Sequence, residues 1–175
     1  MRRSTMGMMG ATGAVLLAVT GGCVSAEPKP AISGFNAPNE PSPTRIVVTS
    51  YMARDTDSNG FPDLIPLRVH LFEAEGGWPL AVTVPGTFRF ELVKPGDAGD
   101  AKPLATWEID PAQFPGMLKQ DQIGPCYMIE LSLLTQGRTD RLAVESIDLR
   151  TTFLPTKASP NPIRGVISMH FGRTR

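Results

Sequence analysis

From residue 45 onward the chain alternates apolar and polar positions with a period of two. Arg45–Ala53 (RIVVTSYMA) is rich in β-branched residues. In Leu64–Glu73, Leu67, Val69 and Leu71 fall on one side, with Arg68 and His70 on the other. Thr87–Val93 sets Phe88, Phe90 and Leu92 against Thr87, Arg89 and Glu91. Ala105–Ile109 places Trp107 between Thr106 and Glu108, and Tyr127–Leu134 presents Tyr127, Ile129, Leu131 and Leu133 against Glu130 and Ser132. Ser146–Leu154 and Gly165–Phe171 alternate in the same way. Successive side chains of a strand point to opposite faces, so each run predicts a strand with one buried face. Only Pro111–Leu118 reads as a helical turn or two, cut short by Pro115 and Gly116.

Seven or eight such runs, separated by Gly, Pro and Asp turns, predict an all-β domain over residues 45–175. One-sided alternation favours antiparallel sheets wet on one face over a parallel sheet buried on both. The expected architecture is an antiparallel β-sandwich, with a barrel as the alternative the pattern leaves open. Seventeen prolines and seventeen glycines in 175 residues also oppose a helical fold. Seventeen basic against seventeen acidic residues leave no cationic surplus for a polyanion, so no nucleic-acid partner is expected.

The first residues break this pattern. MRRSTMGMMGATGAVLLAVTGGC has Arg2 and Arg3, then no charge through Cys23. A basic start, a short apolar run (Ala14–Val19) and small residues Gly21 and Gly22 form the layout of a secretory signal peptide, residues 1–22. The run is shorter than the roughly 20 apolar residues a membrane-spanning helix needs. Val19–Cys23 (VTGGC) resembles the lipobox of bacterial lipoproteins, with Thr20 where that family usually carries leucine. The resemblance implies export, lipid on Cys23 as the new N-terminus, and anchoring to the bacterial cell envelope. Removing residues 1–22 takes away two arginines and no acid, moving the charge balance from 0 to −2. Residues 23–44 then form the lipidated cysteine and a Pro-rich tether, too poor in apolar residues to fold by itself. With Cys23 capped, Cys126 is expected to be a small buried hydrophobe. A Cys23–Cys126 disulfide is the competing reading, and it requires that the anchor be absent.

Between the first two strong strands lies RDTDSNGFPD, Arg54–Asp63. Asp55, Asp57 and Asn59 put side-chain oxygens at alternate positions, Gly60 permits a sharp turn, Phe61 offers a backbone carbonyl and Asp63 adds an acid. The stretch resembles the calcium loops of dockerins, thrombospondin type 3 repeats and EF-hands, with Pro66 where an EF-hand carries its bidentate glutamate. More loosely it resembles the strand–DxNGxxD–strand passage of C2 domains. That likeness implies a C2-like sandwich; an immunoglobulin-like one is the other expectation. The metal ligands so implied are Asp55, Asp57, Asn59, Phe61 and Asp63, with calcium as the ion. The same residues also make a strong hairpin turn, SNGF, in which Asp and Asn bond their own backbone and Arg54 and Arg68 supply counter-charge. KPGDAGDAKP, with Asp97 and Asp100, is the nearest candidate for a second acidic loop.

Catalytic motifs are missing from the sequence. His70 and His170 are the only histidines, with no second histidine or cysteine at ligand spacing, so no zinc site is expected. There is no GxSxG elbow and no phosphate loop. The expected function is a non-enzymatic, lipid-anchored binding or structural module of the cell envelope with a calcium-stabilised loop. Its partner would be a protein or glycan, with Trp78 in EGGWPL as a candidate aromatic anchor. A hydrolase with a site assembled from distant strands is the alternative.

Overall fold

A computed structural model describes residues 39–73, 80–97, 102–137, 139–142, 145–156 and 161–171. The signal peptide, Cys23, most of the tether, Trp78 and Asp100 lie outside the described residues. Eight strands follow one another: β1 (Arg45–Ser50), β2 (Leu64–Phe72), β3 (Gly86–Val93), β4 (Ala105–Ile109), β5 (Leu118–Gln120), β6 (Pro125–Ser132), β7 (Ser146–Pro155) and β8 (Ile163–His170). They form two four-stranded sheets, ordered β1-β2-β6-β5 and β4-β3-β7-β8. Every pairing is antiparallel. The chain therefore lays down one hairpin in the first sheet, one in the second, and repeats the cycle. The expected antiparallel sandwich is what forms.

Alternation explains which face is buried. Ile65, Leu67, Val69 and Leu71 of β2 and Phe88, Phe90 and Leu92 of β3 are fully enclosed, as are Ile147, Leu149 and Phe153 of β7. Ile129 and Leu131 of β6 join them at 1% exposure. Phe88 is the hub of the aromatic packing, with ring centroids 4.6 Å from Phe153, 5.1 Å from Tyr127 and 5.2 Å from Phe114. Offset and edge-on contacts of this kind add to what burial alone contributes. The polar tips in this core find partners. Trp107 Nε1 donates to the Ser132 carbonyl at 2.9 Å, and Tyr127 Oη donates to the Val84 carbonyl at 3.3 Å. Burial pushes the Tyr127 phenol up to about 12, which keeps it a neutral donor.

The helical turn expected near residues 111–118 is present as a 3₁₀ turn (Pro111–Gln113) running into α1 (Phe114–Met117). It carries the chain from β4 to β5 and drops Phe114 into the core. Strand β5 is the element that periodicity does not reveal. Its three residues are all exposed, so no alternation marks it. An edge strand this short also offers little template for further pairing. Before β1, the Ser42 and Thr44 N–H groups already bond Glu73 and the Phe72 carbonyl, fastening the entry of the chain to the end of β2.

Two glycines mark close approaches. A Cβ on Gly165 of β8 would lie 2.9 Å from Ile46 Cγ2 of β1, where one flank of the sandwich closes. At Gly86, a Cβ would lie 2.3 Å from Phe153 Cζ and 2.6 Å from the Leu154 carbonyl oxygen. Gly86→Ala is therefore expected to destabilise the fold by about 1–3 kcal/mol. Gly116→Ala, with nothing within 4 Å of the new methyl, should stay within about 0.5 kcal/mol of the parent. Urea unfolding of both variants checks this; equal midpoints would contradict the packing at the start of β3.

Candidate metal centre

The aspartate loop is the β1–β2 connection, and a backbone bridge closes it. Arg54 N donates to the Leu64 carbonyl at 2.8 Å, while Leu64 N and Asp63 N both donate to the Arg54 carbonyl at 3.0 and 2.8 Å. Within that clasp the chain turns through two left-handed residues, Ser58 (φ 63°) and Gly60 (φ 87°). Gly60 takes the positive φ its place in the motif requires; Ser58 does so despite its Cβ.

The side chains then divide by task. Asp63 is wholly buried, and its carboxylate accepts from Thr56 N at 2.9 Å and Thr56 Oγ1 at 2.8 Å. Its backbone carbonyl accepts from Leu133 N at 2.8 Å, which ties the loop to the end of β6. Asp55 accepts from Gly60 N at 2.7 Å and Asn59 N at 3.2 Å. Asn59 Oδ1 accepts from Phe61 N at 2.9 Å, and Nδ2 donates to Asp57 Oδ2 at 2.9 Å. The Phe61 ring packs under the Arg141 guanidinium, 5.6 Å from its centroid. Asp55, Asp57 and Asp63 each offer a carboxylate oxygen within 4.8 Å of the others. The three acids share a centre.

A fourth acid comes from far along the chain. Asp140, in the β6–β7 connection and 7% exposed, accepts from Asn59 Nδ2 at 2.6 Å. Nothing local in GRTDRL marks Asp140 as a partner of residues 55–63; only the return of β6 to this end of the sandwich places it there. Arg54 and Arg68, the counter-charges offered by the sequence, are paired elsewhere. Arg54 bonds Glu130, and Arg68 Nη1 lies 3.3 Å from Asp121 Oδ2. Asp97 is bonded through its carbonyl to Arg150 and is not part of the group; its partner in the motif, Asp100, lies outside the described residues.

The charge pattern is uneven. For Asp55 burial acts to raise the pKa, but N–H bonds from Gly60 and Asn59 outweigh it and hold the carboxyl below its usual value. For Asp57 loss of hydration comes first, and the carboxylates of Asp55 and Asp140 add to it, so its pKa is raised. A carboxyl with a raised folded pKa weakens the fold as pH rises through that pKa, and the effect vanishes below both its folded and unfolded values. At neutral pH the ionised Asp57 is thus an electrostatic burden on the ion-free loop. Comparison with protein-family models, curated proteins and solved structures finds no match.

This division separates two variants. Asp63→Asn is expected to lower the stability of the protein by about 1–3 kcal/mol, because it weakens a buried acceptor bonded to Thr56. Asp57→Asn in the same buffer should leave the melting temperature unchanged or raise it. Thermal melts in chelator decide this, and the reverse ranking would overturn the assignment of roles.

Proposed function

We propose that this protein is a non-enzymatic binding or structural module of the bacterial cell envelope, moored through lipid on Cys23, with its β1–β2 loop ordered by calcium. The observation that carries the metal reading is the convergence of the Asp55, Asp57 and Asp63 oxygens to within 4.8 Å in a loop clasped by the backbone. Three carboxylates this close repel one another unless a cation screens them. Oxygen donors on a small, adaptable loop suit calcium, which accepts six to eight oxygens at loose geometry. The carbonyl of Phe61 and the side chain of Asn59 complete the proposed set, and Asp140 stands where a further acid can close it. Without the usual glutamate, Pro66 being in its place, the affinity should be weak, about 10⁻⁴–10⁻³ M.

The mooring rests on the sequence at Cys23 and on the tether that follows it. No helix among the described residues is long and apolar enough to cross a membrane. The binding role rests on a rigid sandwich that presents loops at its ends. Trp78, in the sequence between β2 and β3, is the candidate aromatic anchor for a partner. If the protein were instead a hydrolase with a site assembled from distant strands, Cys126 would be a poor nucleophile for it. The thiol is 1% exposed, and burial raises its pKa, whereas a nucleophilic cysteine needs access and a depressed value.

Calcium at about ten times its dissociation constant should raise the melting temperature of a chain lacking residues 1–23 by about 3–8 °C. Asp57→Ala should abolish that rise. No shift in the parent chain would leave the loop as a hairpin turn. Separately, Cys23→Ser should move the full-length protein from the membrane to the soluble fraction of its host, and continued membrane retention would refute lipidation at that residue.

A further inference from the structure

The outward side of the first sheet holds an anomaly. Alternation directs Leu67, Val69 and Leu71 of β2 and Tyr127, Ile129 and Leu131 of β6 into the core, so Arg68, His70, Cys126 and Met128 face away from it. Outward residues of a sandwich are ordinarily wet. Yet His70 is 3% and Cys126 1% exposed. Beside this pair the β5–β6 turn, which brings Asp121 to His70, meets an Ala81–Val82 strap bridged to Leu71 of β2. The β5–β6 turn, closed by Asp121 N to the Gly124 carbonyl at 3.0 Å, is bonded by Ala81 N to the Ile123 carbonyl at 2.9 Å. Gly124 lies so near this strap that a Cβ on it would be 3.0 Å from Ala81 N.

Three chemically different donors meet there. His70 stands one step beyond the Val69–Tyr127 pair, which sets it beside Cys126 on the same face. Asp121 Oδ2 lies 3.0 Å from His70 Nε2 and 3.3 Å from Arg68 Nη1, while Oδ1 accepts from Ile123 N at 2.8 Å. One ligand atom each from His70, Asp121 and Cys126 lies within 4.8 Å of the others.

We propose that His70, Asp121 and Cys126 form a site for a divalent transition metal of the zinc class, separate from the aspartate loop. An imidazole nitrogen, a sulfur and a carboxylate oxygen are a donor set for zinc, cobalt or nickel rather than for calcium. Tetrahedral bonds of about 2.0–2.3 Å place donor atoms roughly 3.5 Å apart, so closing this group onto an ion requires shifts of only about 1 Å. Coordination releases one proton, from the Cys126 thiol, to solvent. The resulting ion, thiolate and carboxylate sum to zero charge, the state that burial favours. Arg68 is the resident counter-charge, half-exposed and stacked over Tyr51, and it yields or shares Asp121 Oδ2 when the ion enters. Asp121, the most exposed of the three, is the side of entry and of a fourth, solvent ligand.

The test uses the full chain carrying Cys23→Ser, which leaves Cys126 as its sole thiol, since the chain has two cysteines. After chelator treatment, cobalt(II) should bind one ion per chain, with a sulfur-to-cobalt charge-transfer band in the near ultraviolet that zinc abolishes. Cys126→Ser should remove the band while far-ultraviolet circular dichroism stays that of the parent. His70→Gln and Asp121→Asn should each weaken cobalt binding about tenfold or more. Asp121→Asn keeps the shape of the turn and so guards against loss of fold in the other variants. No charge-transfer band in folded protein under excess cobalt overturns the proposal. So does a band of unchanged affinity in both His70→Gln and Asp121→Asn, and in either case the cluster is a hydrogen-bonded brace alone.

Discussion

Contact between the inner faces of two sheets, centred on β2 and β6 on one side and β3 and β7 on the other, is the constraint on which the other features of this protein depend. These four strands supply most of the fully enclosed side chains, with the Phe88 cluster at the middle. Each such side chain contributes about 1.5–3 kcal/mol relative to exposure. A shift of one residue in any central strand would turn that entire row to solvent. Register is therefore fixed, and with it the position of every loop. The order of the hairpins sends the chain between sheets after β2, β4 and β6, so residues distant in sequence are delivered to the same end.

The two acidic centres show how that delivery decides chemistry. At the β1–β2 loop, Asp55, Asp57 and Asp63 gather near Asp140 of the β6–β7 connection while Arg54 and Arg68 bond elsewhere, and N–H groups and the Asn59 amide provide screening. At the β5–β6 turn, one carboxylate, Asp121, faces Arg68, His70 and the Ile123 N–H together. Its pKa is lowered chiefly by the Ile123 N–H bond, against the opposing effect of burial, with His70 and Arg68 adding to it. Among the described residues no ion pair joins the first group, whose neighbouring Arg141 stacks on Phe61, whereas Asp121 pairs with Arg68 at the second.

The loops of the sandwich also divide along β2. Its start carries the aspartate loop, and its end carries His70 and the connection toward β3. Leu64 and His70 are six steps of about 3.3 Å apart along the strand, so the two regions lie roughly 20 Å from one another. The strand between them is held on both sides, by β1 and β6.

The sequence by itself determined the strands whose faces differ in polarity, the helical turn before β5 and the aspartate loop, because all of these are written within ten residues or so. Period two needs only neighbours, and the motif from Asp55 to Asp63 needs only its own spacing. Tertiary structure decided the rest. It added β5, which has no buried face to leave a pattern. It brought Asp140 to Asn59 across 81 positions, and it buried His70 on a face that alternation assigns to water, beside a Cys126 whose burial the sequence already suggested. Those outcomes depend on which loop folds over which sheet, a property of register and hairpin order that no local run of residues encodes.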